Sequence, residues 1–308
     1  MKLINPSVKI IQQSAGLKGI YQQIEKAGRN CYQSQDKITE DSSEKFTEMM
    51  VKSKHLAMCE HGTVYLFVSY KSPLLDFDEY LEASNIHIKY KNNKYSRVVT
   101  SSIDNFITDV YITTNYRVLI ENDWLDDLKY LCEPTEYHEK RITVEFTTGI
   151  DITREFNRHR VNSMAESSTR YCNYSKNKFD NEISIATNVD ISEQDVESCI
   201  KNWGGNKELF RKMCVSIAQD YVGDFDIIDT WLFANLACEW SYMRLIELGW
   251  KAQQARRVLP LDTNSILVHT AFESDWKHFL SLRSTDCDAI GVHPDAALLA
   301  NKLNKLLV

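Results

Sequence analysis

Residues 141–148, Arg-Ile-Thr-Val-Glu-Phe-Thr-Thr, alternate apolar and polar side chains, with Ile142, Val144 and Phe146 on one side. A period of two fits a half-buried strand and no helix. Gly149 ends the alternation. Asp151 is a good N-cap for a helix through Arg160, in which Ile152 and Phe156 are four apart and face the core. The chain must therefore place a strand, a tight turn and a helix in quick succession. Arg154, Arg158, Arg160 and Arg170 follow with no lysine among them, in a chain of 13 arginines and 23 lysines. That bias favours the planar guanidinium over mere positive charge, because it binds phosphates and carboxylates through two parallel hydrogen bonds. Arg154 and Arg158 would share a helix face and repel by about 0.2–0.5 kcal/mol. An anion, a carboxylate or a partner subunit is expected opposite them. Residues 161–171 read as an irregular, serine-rich loop.

The rest of the chain alternates strands and helices. Residues 7–12 predict a short strand, 17–29 a helix, 29–34 a polar turn and 42–53 a second helix. His55 to Thr63 contains Glu60 and His61 just before an apolar strand at 64–70. It is either functional or a polar loop closing a core edge. Residues 85–90 and 95–100 predict a hairpin, 109–113 a strand, and 115–122 and 124–131 helices. Residues 71–140 are read as an ordered insertion in a single domain, 1–308. A strand at 182–187 and a capping box at Ser192–Asp195 come next, opening a helix to Trp203. Helices at 207–222, 228–248, 271–283 and 294–307 complete the pattern. Trp231, Phe233, Trp240, Tyr242 and Met243 are read as core or subunit-interface residues.

Composition narrows the function. The net charge of −7 argues against a nucleic-acid polymer, and a local basic pocket in an acidic chain fits a small anion better. No apolar run is long enough to span a membrane, no signal-peptide core opens the chain, and the eight cysteines form no Cys-x-x-Cys pair. A cytoplasmic protein with reduced thiols and no metal site is expected. The common glycine-rich dinucleotide and P-loop cradles are absent, so arginines and backbone groups must bind the anion.

Arg158-His159-Arg160, two residues, Ser163, one residue, Ala165-Glu166, one residue, Ser168, one residue, Arg170-Tyr171 resembles the signature of the flavin-dependent thymidylate synthases. Only a variable Asn of that signature is replaced, by Ala165. Arg29-Asn30-Cys31-Tyr32, His55…Glu60-His61, Ala255-Arg256-Arg257-Val258-Leu259-Pro260 and Phe279-Leu280-Ser281-Leu282-Arg283 resemble further family segments in the family's order. The resemblance implies an α/β (α+β) fold with a mixed central β-sheet flanked by helices. It implies reductive methylation of dUMP to dTMP, with FAD reduced by NADPH, methylenetetrahydrofolate as carbon donor and no cysteine nucleophile. Homotetramers with shared active sites go with the family.

The resemblance also implies roles. Arg158, His159 and Arg160 match an FAD-binding triplet, with Arg158 also near the nucleotide. Ser163 matches a residue supporting the loop. Glu166, Ser168 and Arg170 match the dUMP-binding loop, with Glu166 also at the flavin. Ser168 and Arg283 are the catalytic candidates, Arg283 as the group that polarises the uracil ring. Arg256 matches a second nucleotide-binding arginine. Cys31, His55, Ala57 and His278 match the flavin or folate side. Three departures stand out. Glu155 replaces a common Gln beside the nucleotide, and is expected to pair with Arg154 or His159 or to alter the pyrimidine contacts. Ala57 replaces a usual Ser or Thr. Phe272 and Ser274 stand where many members have Asn-x-Arg, and Asn115-Tyr116-Arg117 is a candidate to substitute in space. They leave open another product, such as a hydroxymethylated pyrimidine nucleotide. A non-catalytic nucleotide- or RNA-binding module is the remaining alternative, which the acidic charge disfavours.

Overall fold

The structure is a computed structural model that describes residues 1–71, 77–102, 107–170, 172–202, 204–206, 208–209 and 225–307. The expected strand is β6 (Arg141–Gly149). It is an inner strand of a four-stranded sheet ordered β2 (Ser7–Ile11), β6, β9 (Asn264–Phe272), β7 (Ser163–Glu166), antiparallel throughout. In register, Phe146 lies opposite Val8 on one side and Leu267 on the other. One face buries Val144, Phe146 and Leu267 against α5 (Ile150–Phe156), α9 (Glu273–Arg283) and α10 (Pro294–Leu307). Phe146, Phe156, Trp276 and Phe279 form an aromatic cluster with ring centroids 4.8–6.3 Å apart. Burying each such ring stabilises the fold by about 1.5–3 kcal/mol. On the other side of the sheet, Ala165 and Val268 pack against Ala27 of α1 (Gly16–Tyr32).

Strand β9 is not signalled by alternation, and the sequence pattern places a helix from 271 instead. Both faces of this strand are covered, so its apolar residues run on without a period of two, and His269 and Thr270 interrupt them inside the core. The helix begins only at Glu273. The helix expected through Arg160 ends at Phe156, and Gly149 rather than Asp151 occupies its N-cap. Beyond it the backbone turns, with His159 N donating to Phe156 O at 3.1 Å. The expected loop at 161–171 contains β7, whose buried positions, Ser163 and Ala165, are too small and polar to give a strand signal. The expected turn at 29–34 starts inside α1, which runs to Tyr32 and is closed by Gln33 at φ 46.

A second core lies under the three-stranded sheet β3 (Thr63–Lys71), β5 (Ile107–Asn115), β4 (Arg97–Ser102), packed by α1, α2 (Ser42–Lys52) and α3 (Phe77–Lys91). Residues 85–90 are helix, not half of a hairpin. Ala83, Ile86 and Tyr90 are all buried at spacings of three and four, so the period is helical although Ile86 and Ile88 favour strands. Strand β4 pairs with β5 instead. The segment then continues as α4 (Tyr116–Glu121) and a 3-10 turn at Leu125–Tyr130.

A third core surrounds the parallel pair β1 (Lys2–Ile4) and β8 (Ser184–Ala186). Around it lie α6 (Glu193–Asn202), α7 (Ile227–Glu247) and the short α8 (Ala252–Ala255). Ser192 and Asp195 cap α6 reciprocally, as their spacing predicts. The helix expected at 207–222 falls almost wholly outside the described residues. Among the described residues no helix is long and apolar enough to cross a membrane.

Candidate functional site

Helix α5 carries two neighbours that serve different clusters. Glu155 faces α9, where one carboxylate oxygen accepts from Arg283 Nη1 at 2.9 Å and the backbone oxygen accepts from Nη2 at 2.9 Å. The other carboxylate oxygen pairs with Arg158 at 3.2 Å. Glu155 is thus tied to Arg158 and Arg283, not to Arg154 or His159. Because α5 stops at Phe156, Arg154 and Arg158 share no helix face, and Glu155 compensates Arg158. Arg283 Nε donates to His159 Nε2 at 3.3 Å. The His159 ring packs on Phe279 at 4.7 Å and lies 6.3 Å from His278. Burial and then the charge of Arg283 push the His159 imidazole down to about 4, so it is neutral at pH 7 and can accept that bond. A guanidinium has five N–H groups. The bonds to Glu155 and His159 leave other N–H groups of Arg283 for a ligand.

Arg154 lies on a cavity of about 540 Å³ that also exposes Ser168, Thr169, Arg256, Arg257 and Glu166. Three guanidinium groups and one carboxylate line it, a balance of charge that suits an anion. Glu166 does not neutralise it freely: its oxygens accept from Thr153 Oγ1 at 2.7 Å, Asn157 Nδ2 at 3.1 Å and Ser265 Oγ at 3.1 Å. These bonds fasten β7 to α5 and β9. The loop beyond is set by backbone bonds, Ser167 N to Ile266 O and Ser168 N to Cys31 O, both 2.9 Å. The Ser168 hydroxyl accepts from Arg170 N at 3.3 Å, and Thr169 accepts from Arg256 at 3.1 Å. Arg257 and Thr169 were not among the expected site residues. The arginine doublet at 256–257 was the available signal.

Of the residues expected on a flavin or folate side, Cys31 is half-buried at the end of α1 with its sulfur 3.8 Å from that of Met58. Burial, then Glu166 and Cys172, push its thiol up to about 11. Burial raises Cys172 to about 11 too. Neither is a thiolate at neutral pH, which is the form a nucleophile needs. His55 is exposed, 3.4 Å from the Tyr32 hydroxyl, and Ala57 opens the 3-10 turn Met58–His61. Asn30 holds this side together by donating to Ala165 O at 3.0 Å and Ile266 O at 2.8 Å.

Arg160 stands apart from Arg158 and His159. It lines a separate cavity of about 500 Å³ with Ser163, Arg97, Arg117, Arg141 and Asp275. Arg97 and Arg141 lie over the ring of Phe272, one of the residues replacing Asn-x-Arg, at 4.5 and 5.5 Å. The expected residues therefore fall into groups: Glu155, Arg158, His159, His278 and Arg283; Glu166, Ser168 and Arg256, with Cys31 touching the loop; and Arg160. Among the described residues no group of three or more His, Cys, Asp or Glu is placed to hold a metal ion, and no disulfide links the cysteines.

A family model, thymidylate synthase complementing protein, matches residues 133–305. No curated protein matches. Among solved structures, the UMP/dUMP methylase PolB from Streptomyces cacaoi bound with 5-Br dUMP is similar at 17% identity and a TM-score of 0.39, over 99% of this chain and 91% of that one. The same enzyme bound with 5-Br UMP gives 16% identity and a TM-score of 0.39, over 99% and 90%. The family match runs from before β6 into α10 and takes in every expected site residue except Cys31, His55 and Ala57. It covers more than half of the sequence, and the chain therefore belongs to the thymidylate synthase complementing protein family, the flavin-dependent thymidylate synthases.

Proposed function

We propose that this chain is a flavin-dependent thymidylate synthase that converts dUMP to dTMP, with methylenetetrahydrofolate as carbon donor and NADPH as reductant. The observation that carries the reading is the cavity of Arg154, Arg256 and Arg257 at the loop bearing Ser168, inside the matched segment. Its charge and size suit a nucleotide monophosphate, held by guanidinium forks, the Ser168 and Thr169 hydroxyls and backbone groups. Arg170 joins this group through the loop. Arg283 acts on the pyrimidine ring, where a guanidinium already fixed by Glu155 and His159 stabilises negative charge without reorganising. Arg158 and Arg160 are suited to the phosphates of FAD, with His159, His278, Cys31, His55, Ala57 and Glu166 along the flavin and folate side.

FAD, when bound and reduced, supplies hydride. The donor set fits such a group, since arginines surround a cavity in which one of them, Arg141, has a buried Nε without a partner. The protonated Cys31 and Cys172 thiols support a route without a cysteine nucleophile. The division of the site residues on either side of α5 supports active sites completed between subunits of a homotetramer. A single domain, 1–308, in the cytoplasm completes the proposal. A second reading, transfer of a hydroxymethyl group, is motivated by Glu155 in contact with Arg283. Turnover of dUMP with both co-substrates, with the product identified by mass, tests the two together.

A further inference from the structure

Two asparagines and a histidine lie between the cavity of Arg160 and that of Arg154 and Arg256. Asn157 closes α5, Asn162 precedes β7, and His269 is an inner residue of β9. His269 is fully buried, with its ring 6.1 Å from those of Phe146 and Trp276. Asn162 is buried beside it and also lines the cavity of Arg160. Glu166, at the other end, lines the cavity of Arg154 and Arg256. Polar side chains in such surroundings are costly unless paired, and apolar residues of similar volume would serve a core at least as well. Departures of this kind are expected where a function requires them.

The bonding fixes the direction of each proton. Asn157 Nδ2 donates to Glu166 Oε2 at 3.1 Å, because an ionised carboxylate only accepts. Asn157 Oδ1 therefore faces His269 Nε2 at 3.5 Å and accepts from it. With the proton of a neutral imidazole on Nε2, Nδ1 accepts from Asn162 Nδ2 at 3.5 Å. Burial, then His61 and His159, hold His269 down at about 3, so the ring is neutral at pH 7. Asn162 Oδ1 is left buried with no partner among the described residues. Three bonds thus run one way, from the wall of one cavity to a carboxylate in the other. Bonds in such a series polarise one another. Two of them are long, so the series has room to tighten.

We propose that Asn162, His269 and Asn157 are positioning residues that couple the two cavities, so that filling one raises the affinity of the other. A donor placed on Asn162 Oδ1 makes its Nδ2 a stronger donor to His269, and the effect passes through Asn157 to Glu166. Glu166 faces three arginines in the nucleotide cavity, where its charge opposes an anion. Drawing that charge toward Asn157 favours the anion. The inference rests on the proposed function for its two ligands, FAD, whose hydroxyl and amino groups are such donors, and dUMP.

The test is calorimetric titration of the full chain with dUMP, without and with saturating FAD, and with FAD, without and with saturating dUMP. In the wild type each ligand is expected to tighten the other by the same factor, about fivefold or more. The factor is expected to fall to about one in H269F, which removes both ring nitrogens. H269Q, which keeps a donor and an acceptor, is expected to retain most of it. N162A is expected to lose it as well, and remains informative if H269F does not fold. A factor of one in the wild type overturns the coupling and leaves the proposed function standing. A factor that survives in H269F or N162A also overturns it, since the ligands then act on each other directly. A merely structural His269 would weaken each ligand alone and leave the factor unchanged. Failure of the wild type to bind FAD or dUMP at all removes the proposed function, and the coupling with it.

Discussion

Glu155 sits between two guanidinium groups, and its partner Arg283 keeps a side chain only 15% exposed. If Arg283 acts on the pyrimidine ring as proposed, Arg283→Ala removes a fixed charge there and is expected to lower kcat/KM for dUMP by about 10²–10³. Glu155→Gln keeps the size and the backbone contact but loosens Arg283, with an expected fall of about tenfold. Steady-state kinetics on both variants check this, and a change of less than twofold in R283A contradicts the role. At this scale the sequence is informative about residue types and less so about partners. Arg158, His159 and Arg160 are consecutive, yet Arg160 lines another cavity, because the backbone turns after Phe156. Glu155 is legible as a departure, but its partner Arg283 is 128 residues away and no local pattern links them.

Elements bring these residues together, and Asn30 is the join that matters most. Its amide spans from α1 to backbone oxygens at the ends of β7 and β9, where the Ser168 loop begins. Asn30→Ala removes two buried hydrogen bonds and is expected to cost about 1–3 kcal/mol, read as a lower denaturant midpoint. An unchanged midpoint contradicts the join. Strand β6 is readable because only one of its faces meets the large apolar side chains. Strand β9, the other inner strand, is not, since burial of both its faces erases the alternation. Helix α3 resembles a strand in sequence because its β-branched residues, Ile86 and Ile88, are two apart, while the buried Ala83, Ile86 and Tyr90 keep helical spacing.

Across the whole molecule, His61, His159 and His269 are buried and neutral. Burial is the main cause for all three, joined by Arg141 at His61 and by Arg283 at His159, and holds them down at about 3, 4 and 3 from an ordinary 6.5. Below pH 6.5 the unfolded chain takes up protons at these imidazoles and the folded chain does not. Stability is therefore highest above 6.5 and falls as pH drops toward 4, by about 1.4 kcal/mol per pH unit for each imidazole. Denaturant midpoints at pH 7.5 and 5.5 measure it, and equal midpoints contradict it. The overall α/β class and the family are legible from one stretch of spacing around Arg158–Arg170. The separate sheet formed with residues 97–115 is not, because β3 pairs with β5 across the intervening α3 and β4, and no local pattern shows that pairing.

The most direct measurement is incubation of the purified protein with FAD, dUMP, methylenetetrahydrofolate and NADPH, with the nucleotide product weighed by mass spectrometry. dTMP is expected, formed only when all components are present and in step with NADPH oxidation. A hydroxymethylated nucleotide, or dUMP recovered unchanged, contradicts the assignment.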